Sequence, residues 1–381
     1  MRIALIHDWL DTWRGGENVL AELVTIFPQA DLFALVDFLP EDWRSRLGGK
    51  RARTSFLQEL PFARTRFRHY LPLMPRAIES LDVGAYDLVL SCSHAVAKGV
   101  RTRPDQFSVC YCLTPMRYAW DMSEQYLAAS SLGRGPAAPL ARALLRRLRG
   151  WDLRTSSRVD RYVAISGHIR ERVRRCWNRD ATVIHPPVDV AYFSPDPAVP
   201  PPAARGYYVT ASRWVPYKRV DAIVAAFDRL PGRRLIVVGD GPEARRVRAA
   251  AGANVEFVGE VPRERLRDLL RGARAFVFAA DEDFGILPVE AQACGTPVIA
   301  YGRGGALETV IGEGAGRTGA FFREQTPTAI AAEIARFDDA IAGLDPAACV
   351  RNAQRFASER FRQEMSAFIA DGHADFRAGK R

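Results

Sequence analysis

Short runs of Val, Ile, Leu and Ala recur along the chain, each followed by a polar turn and then by a stretch in which apolar residues return every three or four positions. A continuous apolar run of four or five residues suits a strand covered on both faces, and the longer period suits a helix with one buried face. Their alternation reads as βαβ units and a parallel sheet, so the fold class is α/β. In the first half the pattern predicts strands at Ile3 to Ile6, Leu32 to Val36, Leu88 to Leu90, Val109 to Cys112 and Tyr162 to Ile165. In the second it predicts them at Val183 to His185, Tyr207 to Thr210, Leu235 to Val238, Val255 to Val258, Ala275 to Phe278 and Val298 to Ala300.

Two series of strands predict two Rossmann-like, doubly wound domains facing across a cleft, with ligands beyond the carboxyl ends of the strands. A length of 381 residues is sufficient for two cores. The break is expected near residue 180. The stretch Pro195 to Pro202, which can be neither helix nor central strand, is the competing boundary.

Composition narrows this picture. A hydrophobic fraction of 48% and a charged fraction of 26% describe an ordinary globular protein. No apolar run approaches the roughly 20 residues of a membrane-spanning helix, and Met-Arg-Ile-Ala-Leu-Ile reads as a strand rather than a signal peptide. Cys92, Cys110, Cys112, Cys176, Cys294 and Cys349 lie scattered in apolar stretches and are read as reduced core thiols of a cytoplasmic protein.

The net charge of +10 is uneven, with Arg64, Arg66 and Arg68 in one cluster and Arg142, Arg146, Arg147 and Arg149 in another. Leu140, Leu144, Leu145, Leu148 and Trp151 interleave with the second at helical spacing. That segment suits peripheral contact with an anionic membrane, and equally a solvated amphipathic helix. Neither cluster carries a nucleic-acid-binding pattern, so no nucleic-acid partner is expected.

The strongest chemical signal runs from Asp281-Glu282-Asp283-Phe284-Gly285-Ile286-Leu287 to Glu290, with Cys294-Gly295-Thr296-Pro297-Val298 after it. It reads as strand, acidic turn, helix, tight turn, next strand. Gly285 allows close backbone approach, and the amides from Gly285 to Leu287 open a helix whose N-terminus attracts phosphate oxygens. Taken alone, Glu282 and Asp283 serve equally well as charges favouring the helix dipole. Arg213 and Lys218, directly after another predicted strand, are cations placed to clamp a pyrophosphate.

Gly15 and Gly16 stand at a strand-to-helix turn, ahead of a helix expected near Asn18, and permit close approach of a sugar or phosphate. Gly239-Asp240-Gly241-Pro242 is a weaker signal of the same type. His94 follows a strand and suits hydrogen bonding to a sugar hydroxyl, or a structural role. The sequence lacks a recognisable metal-binding motif, so neither a metal nor another cofactor is expected.

Together with Gly304-Gly305 and Glu308, these motifs resemble the retaining glycosyltransferases of family 4, which have the two-domain GT-B fold. The matching motifs run from residue 1 to about residue 360. The resemblance implies a nucleotide-sugar donor with its ribose on Glu290, its transferred sugar on Glu282 and its diphosphate on Arg213 and Lys218. It further implies that Gly15 and Gly16 lie at the reacting phosphate, His94 at the donor sugar, and Asp283, Phe284, Gly285, Ile286 and Leu287 in the donor-binding turn. An acceptor-binding domain over 1–180, completed by a helix over 359–381 that crosses back, and a donor-binding domain over 181–358 follow from it.

A finer resemblance, to bacterial O-antigen and exopolysaccharide mannosyltransferases, rests on His7-Asp8-Trp9, Arg14-Gly15-Gly16-Glu17, Thr114 to Asp121 and Val163-Ala164-Ile165-Ser166. It implies GDP-mannose and a glycan or lipid-linked saccharide acceptor. Leu113 stands where that subgroup usually carries His, so the acceptor side differs here. A UDP-sugar donor, a nucleotide-sugar epimerase and a noncatalytic nucleotide- or glycan-binding partner are the rival readings.

Overall fold

A computed structural model describes residues 1–121, 123, 127 and 138–380. The chain divides into two compact units, Met1–Pro187 with Phe361–Arg381, and Val188–Arg360.

The first unit is built on seven strands: β1 (Ile3–His7), β2 (Asp31–Ala34), β3 (Arg53–Thr54), β4 (Leu88–Ser93), β5 (Phe107–Cys112), β6 (Arg161–Ala164) and β7 (Thr182–Val183). Their order is β3-β2-β1-β4-β5-β6-β7, and every pairing is parallel. The second unit has β8 (Tyr207–Ala211), β9 (Arg234–Val238), β10 (Val255–Gly259), β11 (Phe276–Phe278), β12 (Val298–Tyr301) and β13 (Gly319–Phe322). Its order is β10-β9-β8-β11-β12-β13, again parallel throughout. Both central strands are buried along nearly their whole length, which is why they read as unbroken apolar runs.

In each sheet the winding reverses beside the first strand, between β1 and β4 in one unit and between β8 and β11 in the other. Such a reversal leaves a crevice at the strands' carboxyl ends, where open α/β sheets bind ligands. The segments singled out in the sequence fall there: residues 8–17 and His94 beside β1 and β4, and residues 213–218 and 281–290 beside β8 and β11.

The segment near Val183 belongs to the first sheet rather than opening the second. Ile184 N–H donates to Ala164 O at 3.1 Å, and Tyr111 Oη–H donates to Ile184 O at 2.9 Å. Neither β3 nor β13 is evident from the sequence pattern, the one being two residues long and the other opening on Gly319. A Cβ on Gly319 would stand 1.9 Å from Val298 O, so close strand approach dictates this glycine.

The helix Ala138–Thr155 turns Leu148 and Trp151 into the first unit's core, leaving Leu140 exposed beside Arg142, Arg146 and Arg147. The inner part of its apolar stripe is therefore already covered. Beneath it Lys98, fully buried, pairs with Asp152 at 2.9 Å, while Trp120 and Trp177 donate their indole N–H groups to Asp152 Oδ2 at 2.8 and 2.7 Å. Among the described residues no helix is long and apolar enough to cross a membrane. All six cysteines are buried and free of disulfides.

The helix Ser358–Arg377 buries Phe361, Met365 and Ile369. Phe361 stacks edge-on against Tyr111 with centroids 5.6 Å apart, and Arg362 reaches Glu22 at 2.7 Å.

Candidate functional site

In the second unit two loops meet at the β8/β11 reversal. Arg213 stands exposed two residues beyond β8, and the chain then makes a short 3-10 turn, Pro216–Lys218. Lys218 Nζ is ion-paired with Glu282 Oε1, on the loop after β11, and both side chains are 17% exposed. The residue expected on the diphosphate and the one expected on the sugar are therefore each other's partners.

Past Glu282, Asp283 and Phe284 turn inward and are buried; Phe284 packs edge-on against Phe356 at 5.3 Å. Gly285 has φ +92°, a left-handed conformation that suits glycine, and it caps the helix Ile286–Ala293. The first amides of that helix have no acceptor within it, which makes the turn from Gly285 to Leu287 a site for an anion. Gln292, on the same helix, bonds Thr309 O at 2.8 Å and accepts from Asn352 at 2.7 Å, anchoring the helix from behind.

Glu290 lies one turn further along. Burial pushes its carboxyl up to about 7; Arg263 nearby opposes that rise and Asp189 adds to it. Arg263 is itself tied to Asp189 at 2.7 Å. A half-buried carboxyl with a raised pKa suits a diol that brings its own donors.

Two glycine pairs hold these loops. Gly305 N–H donates to Glu282 O at 2.8 Å, and a Cβ on Gly305 would fall 2.2 Å from Phe284 Cα. On the other side a Cβ on Gly239 would meet Ser212 O at 2.0 Å, and one on Gly241 would meet Trp214 O at 2.4 Å. Gly239-Asp240-Gly241, weak as a sequence signal, thus sets the loop that carries Arg213.

In the first unit the helix begins at Gly15, so Gly15 and Gly16 are its opening residues rather than a turn ahead of Asn18. A Cβ on Gly16 would lie 3.0 Å from Leu113 Cδ1, which puts the departure from the mannosyltransferase pattern directly against the glycine motif. Glu17 accepts from Arg14 N–H at 2.8 Å and stands 3.5 Å from His7 Nε2. Asp8, fully buried, faces His94 Nδ1 at 3.0 Å. In the sequence His7, Asp8 and Glu17 stand out only as parts of motifs; the pairing of His7 and Asp8 with the β4 end spans some 85 residues and leaves no local trace.

The turn after β4 resembles an anion-binding nest, but its four amides already serve Asp8. The helix turn at Gly285 has a glycine N-cap and no side-chain cap from it, which favours the second unit for a diphosphate.

Comparison with known proteins bears on the family and the fold. Residues 198–353 match the family described as glycosyl transferases group 1. The chain is 32% identical over 196 residues to a GDP-mannose-dependent monoacylated alpha-(1-6)-phosphatidylinositol monomannoside mannosyltransferase of Corynebacterium glutamicum, 42% of this chain and 51% of that protein. It is 34% identical over 140 residues to a D-inositol 3-phosphate glycosyltransferase of Mycobacteroides abscessus, 32% of each. The matched region spans about half or less of these relatives.

Among solved structures, Anabaena HepE in complex with UDP superposes with a TM-score of 0.70 at 17% identity, covering 97% of this chain and all of that one. Sucrose-phosphate synthase of Thermosynechococcus elongatus gives 0.73 at 20% identity, covering 98% and 100%. The two parallel Rossmann-like sheets are those of the GT-B class. Within that class, residues 198–353 are similar to the group 1 glycosyltransferases, and the solved structures share the fold.

Proposed function

We propose that the chain is a retaining hexosyltransferase that moves mannose from GDP-mannose to a glycan or lipid-linked saccharide in bacterial surface polysaccharide synthesis. The observation that carries this reading is the meeting of Lys218 with Glu282 beside the Gly285 helix turn, at the winding reversal of the second sheet. The GDP-mannose dependence and the phosphatidylinositol monomannoside named for the Corynebacterium relative support the finer assignment.

In this reading Glu290 receives the ribose hydroxyls, Arg213 and Lys218 flank the diphosphate with the amides of Gly285 to Leu287, and Glu282 receives hexose hydroxyls. The family resemblance assigns Gly15, Gly16 and His94 to the donor as well. As the bond from the sugar's C1 to the phosphate oxygen breaks, negative charge grows on the diphosphate. Fixed cations and backbone dipoles stabilise that charge more than they stabilise the intact donor, which is what accelerates the step. The acceptor oxygen bonds to C1 on the same face, its proton passes to the departing phosphate oxygen, and GDP and the new glycoside result.

Incubating the protein with GDP-mannose and with UDP-sugars in the presence of an acceptor extract tests the reading. Mannose transfer from GDP-mannose is expected; transfer from UDP-sugars alone overturns the donor, and hydrolysis or epimerisation without transfer overturns the reaction. Contact with an anionic membrane rests on exposed Leu140, Arg142, Arg146 and Arg147 and on Phe62, which is 72% exposed beside Arg64 and Arg66. Co-sedimentation with phosphatidylglycerol vesicles, weakened by salt, is expected; absence of binding at low salt overturns it.

A further inference from the structure

The turn after β4 closes around a carboxylate that comes from the end of β1. The amides of His94 and Ala95 donate to Asp8 Oδ2 at 2.6 and 3.0 Å, and those of Val96 and Ala97 to Oδ1 at 2.6 and 2.7 Å. His94 Nδ1 lies 3.0 Å from Oδ2, and the His94 side chain keeps 31% exposure. With Nδ1 committed to Asp8, Nε2 is the ring nitrogen left to meet a ligand. Trp9 stands edge-on to the imidazole with centroids 4.6 Å apart and fixes its plane.

The charged groups around the ring are Asp8 and Glu17 against Arg68, with the His7 ring 6.1 Å away. Two carboxylates against one guanidinium favour an imidazolium. Burial works the other way, but Asp8 and Glu17 prevail and His94 titrates above its ordinary value. Reciprocally, burial alone would raise Asp8, and His94 and the surrounding donors bring it down to about 2.

We propose that Asp8 is the positioning residue of the first unit's crevice, holding the His94 ring by Nδ1–H so that Nε2–H is offered to an oxygen of the enzyme's substrate. The inference rests on the transferase reading for its substrate, while its geometry stands apart from it. Asp8 touches no substrate; it acts through His94, and the proton it holds at Nδ1 stays in place while Nε2–H makes the contact.

Histidine-labelled full-length protein, titrated by NMR, tests this directly, with kcat and KM for GDP-mannose followed against pH. Wild-type His94 is expected to titrate above 6.5 and to carry its proton on Nδ1 in the neutral form. Asp8→Asn is expected to lower that midpoint and to move the basic limb of kcat down equally, whereas Glu17→Gln moves both by less. A midpoint at or below 6.5, a neutral ring protonated on Nε2, or a kcat limb unmoved when the midpoint moves overturns the proposal. If Asp8→Asn does not fold, the wild-type tautomer and the Glu17→Gln shift decide the matter in the same way. The expected titration in a protein that turns over no sugar nucleotide keeps the Asp8–His94 geometry and overturns the transferase reading.

Discussion

Lys218 and Glu282 form an ion pair between the loop after β8 and the loop after β11, so the cation proposed for the phosphate and the carboxylate proposed for the sugar are one coupled unit. Glu282→Ala removes a hydrogen-bond acceptor for the hexose and at the same time releases Lys218. Affinity for GDP-mannose is expected to fall by about 1.5–3 kcal/mol, while affinity for GDP holds or rises. With Lys218→Ala, the double variant should depart from additivity by about 0.5–3 kcal/mol. Calorimetric titration of the three variants with both ligands checks this; equal losses for GDP and GDP-mannose on Glu282→Ala would refute the division of roles.

The Glu290 carboxyl, raised by burial to about 7, is neutral below that pH and above it a carboxylate, the proposed acceptor for ribose hydroxyls. GDP-mannose, whose bridging diphosphate does not titrate in this range, should bind more tightly as pH rises from about 6 to about 8, roughly following one proton. Glu290→Gln should flatten the profile. For stability the sign is opposite: a carboxyl raised above its unfolded value contributes stability at low pH that is lost as pH rises through about 7. The free protein with Glu290→Gln should therefore melt higher than wild type near pH ~8, with the difference shrinking near pH ~5.

Gly305→Ala places a Cβ 2.2 Å from Phe284 Cα, and backbone on backbone cannot be relieved by a side-chain rotation. The Glu282 loop must shift, at a cost of about 1–3 kcal/mol. Loss of donor binding out of proportion to the drop in melting temperature is expected; wild-type affinity in a folded variant would show that this packing does not set the loop.

Lys98→Met removes one member of the buried pair with Asp152 and leaves the carboxylate to the two indole donors. Urea unfolding should show a loss of about 3–5 kcal/mol. A loss below about 1 kcal/mol would mean that the two indoles suffice to hold the charge.

Much of this was legible in the sequence. Ten of the strands show as apolar runs in their own sheet because parallel strands covered on both faces have no polar alternation to blur them. The run at Val183 was equally visible but on the wrong side of the boundary, since only its pairing to Ala164 assigns it to the first sheet. At the site, Glu282, Gly285 and Glu290 are neighbours in sequence and stood out together. The Lys218–Glu282 contact spans 64 residues and Asp8–His94 86, and separations of that size leave no local period to read. Gly239 and Gly241 looked incidental because what makes them necessary, the backbone of residues 212–214, lies on another strand's loop.

Transfer is expected to survive excess chelator, because the proposed site meets the leaving diphosphate with Arg213, Lys218 and backbone amides. Activity that disappears with EDTA and returns with magnesium or manganese would overturn this.

The central claim, that the second unit holds a nucleoside diphosphate sugar between Arg213, Lys218 and the helix opening at Gly285, is tested most directly by calorimetric titration of the full chain with GDP-mannose and UDP-glucose. Wild type is expected to bind GDP-mannose more tightly, and Lys218→Ala and Arg213→Ala each to weaken it by at least about tenfold, about 1.4 kcal/mol, with the fold intact by circular dichroism. Unchanged affinity in both folded variants would contradict the account.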